Sequence, residues 1–214
     1  MTRFHSLFLF LAGCILLLSC SKEMSTEGPS AGTCEYAPYT NGSSFSYINV
    51  NKTKDTISYT LTVEGDTTIN NTRFKKIGDD SVFICSDCKD GIYTQIASLL
   101  TFQGYKADNL LLTYLKDNSL KGDSWNDTVT ISNGTVSTTG ILRHTIIDKG
   151  ISKTVYGKAY AEVIAVKLDA YAIVLNNPVP VGTVSTSYYA KGVGLIEADQ
   201  SGDTIKLTSY TLKP

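Results

Sequence analysis

The 214-residue chain is poor in the residues that most often carry chemistry: it holds two histidines and one tryptophan, and no Gly-x-Ser-x-Gly stretch. A serine hydrolase needs a nucleophile, a base and an orienting acid, and beyond His5 the chain offers a single histidine, His144. Charge is scarce and balanced, with a net value of -1. That argues against a nucleic-acid partner, which needs a basic face. Long apolar runs are missing except for one from about Phe8 to Leu18, too short for a membrane span of about 20 residues. Everything past about residue 36 is therefore expected to fold in an aqueous compartment. Helical spacing of apolar residues is also nearly absent.

What the chain does have begins at its N-terminus. Arg3 and His5 precede the apolar run, and a small residue and a cysteine follow it, the layout of an export signal. "Leu17-Leu18-Ser19-Cys20" resembles the bacterial lipobox, in which the chain is cut before a cysteine that then receives lipid. "Leu11-Ala12-Gly13-Cys14" matches that pattern too, but cleavage there would leave "ILLLS" on the mature protein, so Cys20 is preferred. Each buried methylene of such an anchor contributes about 0.8 kcal/mol, and several chains hold firmly where one does not. The resulting expectation is a signal peptide over 1–19, a lipidated Cys20 with a flexible tether over 20–33, and a β domain over 34–214. The "SKE" after Cys20 resembles the surface-export signal of Bacteroidetes lipoproteins, with Met24 in place of the second acid. It implies an outer-membrane protein on the cell surface, with the periplasmic face as the alternative.

From Phe45 onward the composition turns to Thr, Ser, Val, Ile and Tyr, with frequent Gly, Asn and Asp, which is strand-and-turn chemistry. In "DTISYTLTVEGD" the residues Ile57, Tyr59, Leu61 and Val63 share one face, and Ser58, Thr60 and Thr62 the other. Such alternation implies a sheet with one buried face. Several later segments exceed the usual five or six residues of a strand, which favours strongly coiled antiparallel strands. The expected fold is all-β and mainly antiparallel: a curved meander sheet or half-barrel with one short helix. That helix is expected around 94–101, where Ile96, Leu99 and Leu100 fall three or four apart, and it would plug one mouth of the sheet. A subdivision near 102–109, "FQGYKADN", would separate two sheets. "KGDSW" predicts a turn that delivers Trp125 into the core, and "DQSGD" a hairpin closed by Gly202.

Two structural resemblances complete the reading. "CEYAPYTNGSSFSY", "VEGDTTINNTRFKKI", "LKDNSLKGDSW" and "YYAKGVGLIEAD" are similar to segments of uncharacterised Bacteroidetes lipoproteins, and these in turn resemble envelope proteins with a LolA-like open half-barrel. The likeness implies a fold and carries no catalytic residue. The recurring triplets that begin at Asp55, Asp66, Asp80, Asp127 and Asp203 resemble an O-glycosylation sequon, with Thr56, Thr67, Ser81, Thr128 and Thr204 as the sites. Asp opening a turn before a β-branched strand residue produces the same triplet without any modification.

"FICSDCKDG" poses the cysteine question. A redox pair needs its first thiol at a helix N-terminus, whereas Cys85 ends an apolar strand. A zinc site built from Cys34, Cys85, Cys88 and His144 lacks the second paired motif. Asp79, Asp80, Asp87 and Asp90 fit no ordered calcium loop. A disulfide staple suits an exported domain; Cys34–Cys88 is preferred because Cys88 leads into the "KDGIY" turn shared with the resembling proteins, with Cys34–Cys85 the alternative. Among the acids, Glu64, Asp66, Glu162, Glu197 and Asp199 could supply paired carboxylates, and none stands out from turn chemistry. Thirteen tyrosines against seven phenylalanines suggest either strand filling or a binding platform, of which Tyr188 and Tyr189 could place only one ring in a cavity. No cofactor and no metal are expected. The functional expectation is a non-catalytic module for an apolar or glycan ligand or a partner envelope protein, a purely structural protein being the alternative and a hydrolase with an unrecognised site a third. A deep apolar cavity would favour the first; a filled core with no pocket above about 300 Å3 would favour the second.

Overall fold

The computed structural model describes residues 32–78, 83–102, 105–132, 134–135 and 137–214. Cys20 and Ser81 lie outside the described residues. Twelve strands run in order along the chain: β1 (Ser44–Val50), β2 (Thr56–Ile69), β3 (Thr72–Gly78), β4 (Phe83–Lys89), β5 (Ile92–Phe102), β6 (Tyr105–Lys116), β7 (Ser124–Ser132), β8 (Ser137–Val155), β9 (Lys158–Val174), β10 (Asn177–Ala190), β11 (Gly194–Gln200) and β12 (Thr204–Thr211). Each pairs antiparallel with the next, and β1 pairs with β12, so the meander closes into a barrel. Closure removes the sheet edges that would otherwise template aggregation.

The all-β antiparallel expectation holds, while the helix expected at 94–101 does not. That stretch belongs to β5, which pairs with β4 through Cys85↔Ile96 and with β6 from Ile92↔Lys116 to Phe102↔Tyr105. The apolar spacing misleads there because β6 offers β5 a ladder over its whole length and β4 a second one as far as Ile96, and tertiary pairing overrides local propensity. The same pairing, with Phe102↔Tyr105 its last rung, makes β5 and β6 antiparallel neighbours in one sheet.

Strand alternation sorts side chains as expected over most of β2. Val63 is buried and Tyr59 and Leu61 pack against the core, yet Ile57 is 66% exposed at the strand's first turn. Length is absorbed by irregularity: β8 and β9 slip register between Ile146 and Asp148, and twice more before Lys153. Bulges of this kind increase local twist and let long strands coil around a small core. The seam between β6 and β7 is thin, with Lys106↔Ser132 the one ladder pair among the described residues.

The segment from Thr33 to Ser43 forms a strap across the barrel end where β5 begins. Cys34 is disulfide-bonded to Cys88, with a Cα–Cα distance of 5.7 Å. Beside the bridge the strap crosses the β4–β5 turn so closely that a Cβ on Gly32 would sit 2.3 Å from the carbonyl oxygen of Asp90. Gly91 has φ +75°, and a Cβ there would meet Asp117 Oδ1 at 2.1 Å. Glycine at both positions is a condition of the crossing, which gives "KDGIY" a physical reason.

Cys85, the other cysteine of the pair, points to the outer side of β4 and is free and 2% exposed. Burial pushes its thiol pKa up, against a smaller downward pull from Lys76. Folded protein should therefore leave Cys85 unalkylated by iodoacetamide, and labelling should appear only with denaturant; peptide mapping that finds Cys85 modified in native buffer would contradict its burial.

Candidate functional site

Alternation directs one face of every strand into the barrel, and tyrosine occupies much of that interior at the strap end. Tyr36 from the strap meets Tyr93 edge-on at 6.4 Å between centroids, Tyr93 meets Tyr114 at 5.9 Å, and Tyr114 meets Tyr189 at 5.4 Å. Tyr39 stands edge-on to Phe45, and Tyr47 stacks on Tyr59. Aromatic pairs of these geometries contribute about 0.5–1.5 kcal/mol beyond area burial. Polar ends of the rings are satisfied locally. The Tyr93 hydroxyl donates to Asp117 Oδ2 at 2.7 Å and accepts from the Tyr36 amide at 3.1 Å, and the Tyr36 hydroxyl donates to the carbonyl of Glu162 at 2.9 Å. Burial raises the pKa of Tyr36 and Tyr39 to about 12, and raises those of Tyr47, Tyr93, Tyr114 and Tyr189 further.

Past this layer the described residues leave the lumen open. A cavity of about 390 Å3 runs from Tyr114 and Tyr189 along β9, β10 and β11 to Gln200 and Ile205, at the end away from the strap. A smaller space of about 80 Å3, between Tyr39, Tyr47 and Tyr59, shares Ile84, Gln95, Tyr114, Tyr189 and Leu195 with it. Aliphatic side chains dominate the larger wall, among them Leu112, Val166, Leu168 and Val184. Tyr189 lines the cavity while its neighbour Tyr188 lies beneath the Lys153 ammonium, 3.6 Å from the ring centre, so the two rings do divide between faces.

One polar constellation faces this lumen. His144 on β8, 3% exposed, lines the cavity and places Nε2 3.1 Å from Asp127 Oδ2 on β7. Its ring stacks on Trp125, its register partner, at 5.3 Å and 1° between planes. Trp125 and Asp127 also bridge the thin seam. The indole N–H donates to the Thr113 carbonyl at 2.6 Å, and the Thr113 amide donates to Asp127 Oδ2 at 2.9 Å. Side chains of β7 thus take the place of the missing ladder to β6, and they fix the histidine in doing so. Trp125 is half-buried at this wall, where it packs against the core.

Sequence reasoning treats His144 as a lone strand residue. A usable signal is its parity: Leu142, His144 and Ile146 alternate inward on β8, as Trp125, Asp127 and Val129 do on β7. The pairing that joins the two sets depends on register. Other singled-out residues are dispersed. Glu64 pairs with Lys76 and Glu197 with Lys153 (2.7 Å), Glu162 pairs with Lys191, and Asp66 pairs with Arg73 and Lys75. Cys34 and Cys88 are consumed by their bridge, and His144 belongs to the lumen wall, so the four candidate zinc ligands do not converge. Among the described residues no group of three or more His, Cys, Asp or Glu side chains is placed to hold a metal. Thr56 and Thr128 are exposed, whereas Thr67 and Thr204 are half-buried.

Together these features define a class: a single-chain antiparallel barrel, strapped at one end by a disulfide-bound segment, with an apolar lumen beyond. No protein-family model matches the chain, and no curated protein matches it. Two solved structures align with it. One is a presumed lipoprotein from Parabacteroides distasonis, at 13% identity and TM-score 0.46, over 82% of this chain and 98% of that one. The other is a presumed exported protein with a YmcC-like fold from Bacteroides fragilis, at 10% identity and TM-score 0.48, over 81% of this chain and 97% of that one. At such values function has to be argued from this chain's own residues.

Proposed function

We propose that the protein is a lipid-anchored envelope protein whose barrel acts as a non-catalytic binding module for an apolar ligand. The observation that carries this is the cavity of about 390 Å3, walled mainly by aliphatic side chains with Tyr114, Tyr189 and a few polar groups among them, such as Gln95, His144 and Ser185. Ligand pockets run from roughly 300 to 1,000 Å3 and are mainly apolar with a few placed polar groups. A purely structural barrel would be expected to fill that space, because packed interiors hold few voids larger than a water molecule. The glycan alternative draws less support, since the interior tyrosines stack on one another instead of presenting free faces.

The address rests on chemistry at both ends of residues 20–34. The leader and Cys20 supply the export and lipidation signals, and the Cys34–Cys88 bridge suits an oxidising compartment. A basic face for nucleic acid is missing from the composition, and the partners proposed are a membrane, through the lipid, and a small apolar molecule. Surface exposure on the outer membrane follows the "SKE" resemblance and is part of the same proposal.

Native mass spectrometry of protein purified from its own membrane tests these points together. The expected spectrum shows acyl mass on Cys20 and a non-covalent apolar adduct released on collisional activation. An O-glycan would add mass at Thr56 or Thr128. A ligand-free spectrum, together with failure of an apolar fluorescent probe to bind the delipidated barrel, would overturn the binding reading.

A further inference from the structure

We infer that the lumen selects an uncharged, mostly aliphatic molecule bearing a hydroxyl or carbonyl group, and that His144 is the residue that receives this group. The inference rests on the binding reading above and specifies its ligand. The first observation is charge. No lysine, arginine, aspartate or glutamate side chain lines the cavity of about 390 Å3 among the described residues. The carboxylate nearest the wall, Asp127, is engaged by His144 and the Thr113 amide. A ligand carboxylate or ammonium drawn in would therefore lose its water without a free charged partner, and burying an unpaired charge is far more costly than burying a neutral group that keeps one hydrogen bond.

The second observation is the placement of polar groups. Gln200 sits at the exposed rim by the β11–β12 turn, the Tyr114 hydroxyl is engaged with Ser86 Oγ at 3.2 Å and Ser187 with Tyr189, while Gln95 and Ser185 line the wall half-buried. His144 lies deep in the wall, 3% exposed, and is held from two directions: Asp127 Oδ2 at 3.1 Å and the parallel face of Trp125. Asp127 and Trp125 are themselves tied to the backbone of Thr113. A ring fixed in this way keeps its orientation without further ordering when a ligand arrives, which is how preorganised groups give specificity. One ring nitrogen is committed to Asp127, so a single ligand group is the natural complement of the other.

The test uses the folded full-length chain and an apolar fluorescent probe displaced by alkyl compounds of equal chain length. The fatty alcohol is expected to compete at least about tenfold more tightly than the carboxylate or the trimethylammonium compound. With 15N-histidine labelling, the alcohol is expected to shift the His144 imidazole resonances, a readout that needs no variant. In His144→Phe the alcohol's advantage over an alkane of equal chain length should fall about fivefold or more. Equal or tighter binding of the carboxylate would overturn the ligand class. Unmoved imidazole resonances on alcohol binding would overturn the role of His144. Absence of probe binding would instead sink the binding reading itself, so the two failures are distinguishable.

Discussion

Between pH 10 and pH 12 the barrel is expected to unfold cooperatively, with tyrosinate absorbance rising in step with the loss of β-sheet circular dichroism. Tyr36, Tyr47, Tyr93, Tyr114 and Tyr189 are each buried, and burial raises the pKa of each; Tyr36 reaches about 12, and the others rise further. Below pH 10 both folded and unfolded chains keep these protons. Above it the unfolded chain releases them and the folded chain does not, so stability falls as pH rises, until the folded values are passed. Each such tyrosine removes about 1.4 kcal/mol per pH unit in that window. Several acting together weigh heavily against the whole stability of about 5–15 kcal/mol of a typical domain. Tyrosines that ionised near pH 10 while the sheet remained intact would show that these hydroxyls are not enclosed.

Loss of the disulfide gives the second large effect. The bridge closes a separation of 54 residues, for which the chain-entropy model gives about 4 kcal/mol. Replacing both Cys34 and Cys88 with serine is therefore expected to lower the urea midpoint by about 2 M for a slope of about 2 kcal/mol/M. The strap has further attachments that should keep it folded against the barrel at low denaturant. Asp117 Oδ2 accepts from the Thr33 amide at 3.1 Å as well as from Tyr93, and the Gly192 amide donates to the carbonyl of Glu35 at 2.8 Å. A Cys85→Ser control leaves the bridge intact and should move the midpoint less. An unchanged midpoint in the double variant, or non-reducing peptides that join Cys34 to Cys85, would contradict the structure.

The strap also shows why the cysteine pair reads ambiguously in one dimension. Cys85 and Cys88 are three positions apart, so on one strand they face opposite sides of the sheet. Only the inner one can reach a segment folded across the barrel mouth. Which is inner depends on the register of β4 with β3 and β5, where Cys85 stands opposite Lys76 and Ile96. The misread stretch at 94–101 has the same origin. Its apolar residues fit a helical spacing, but β6 offers the backbone a ladder along the whole stretch, and β4 adds pairs up to Ile96. Trp125 is legible as a residue delivered by a turn, and its neighbours in space are not.

By itself the chain's alternation of apolar and polar residues determined an antiparallel β protein with its buried faces, its turns at glycine and aspartate, and the scarcity of catalytic groups. Such features are local, arising from side-chain period and backbone freedom over a few residues. Closure of the meander, the hollow lumen and the union of His144 with Asp127 and Trp125 were decided by tertiary structure. They depend on register between strands and on the volume left when twelve of them close, quantities that no short window of sequence contains.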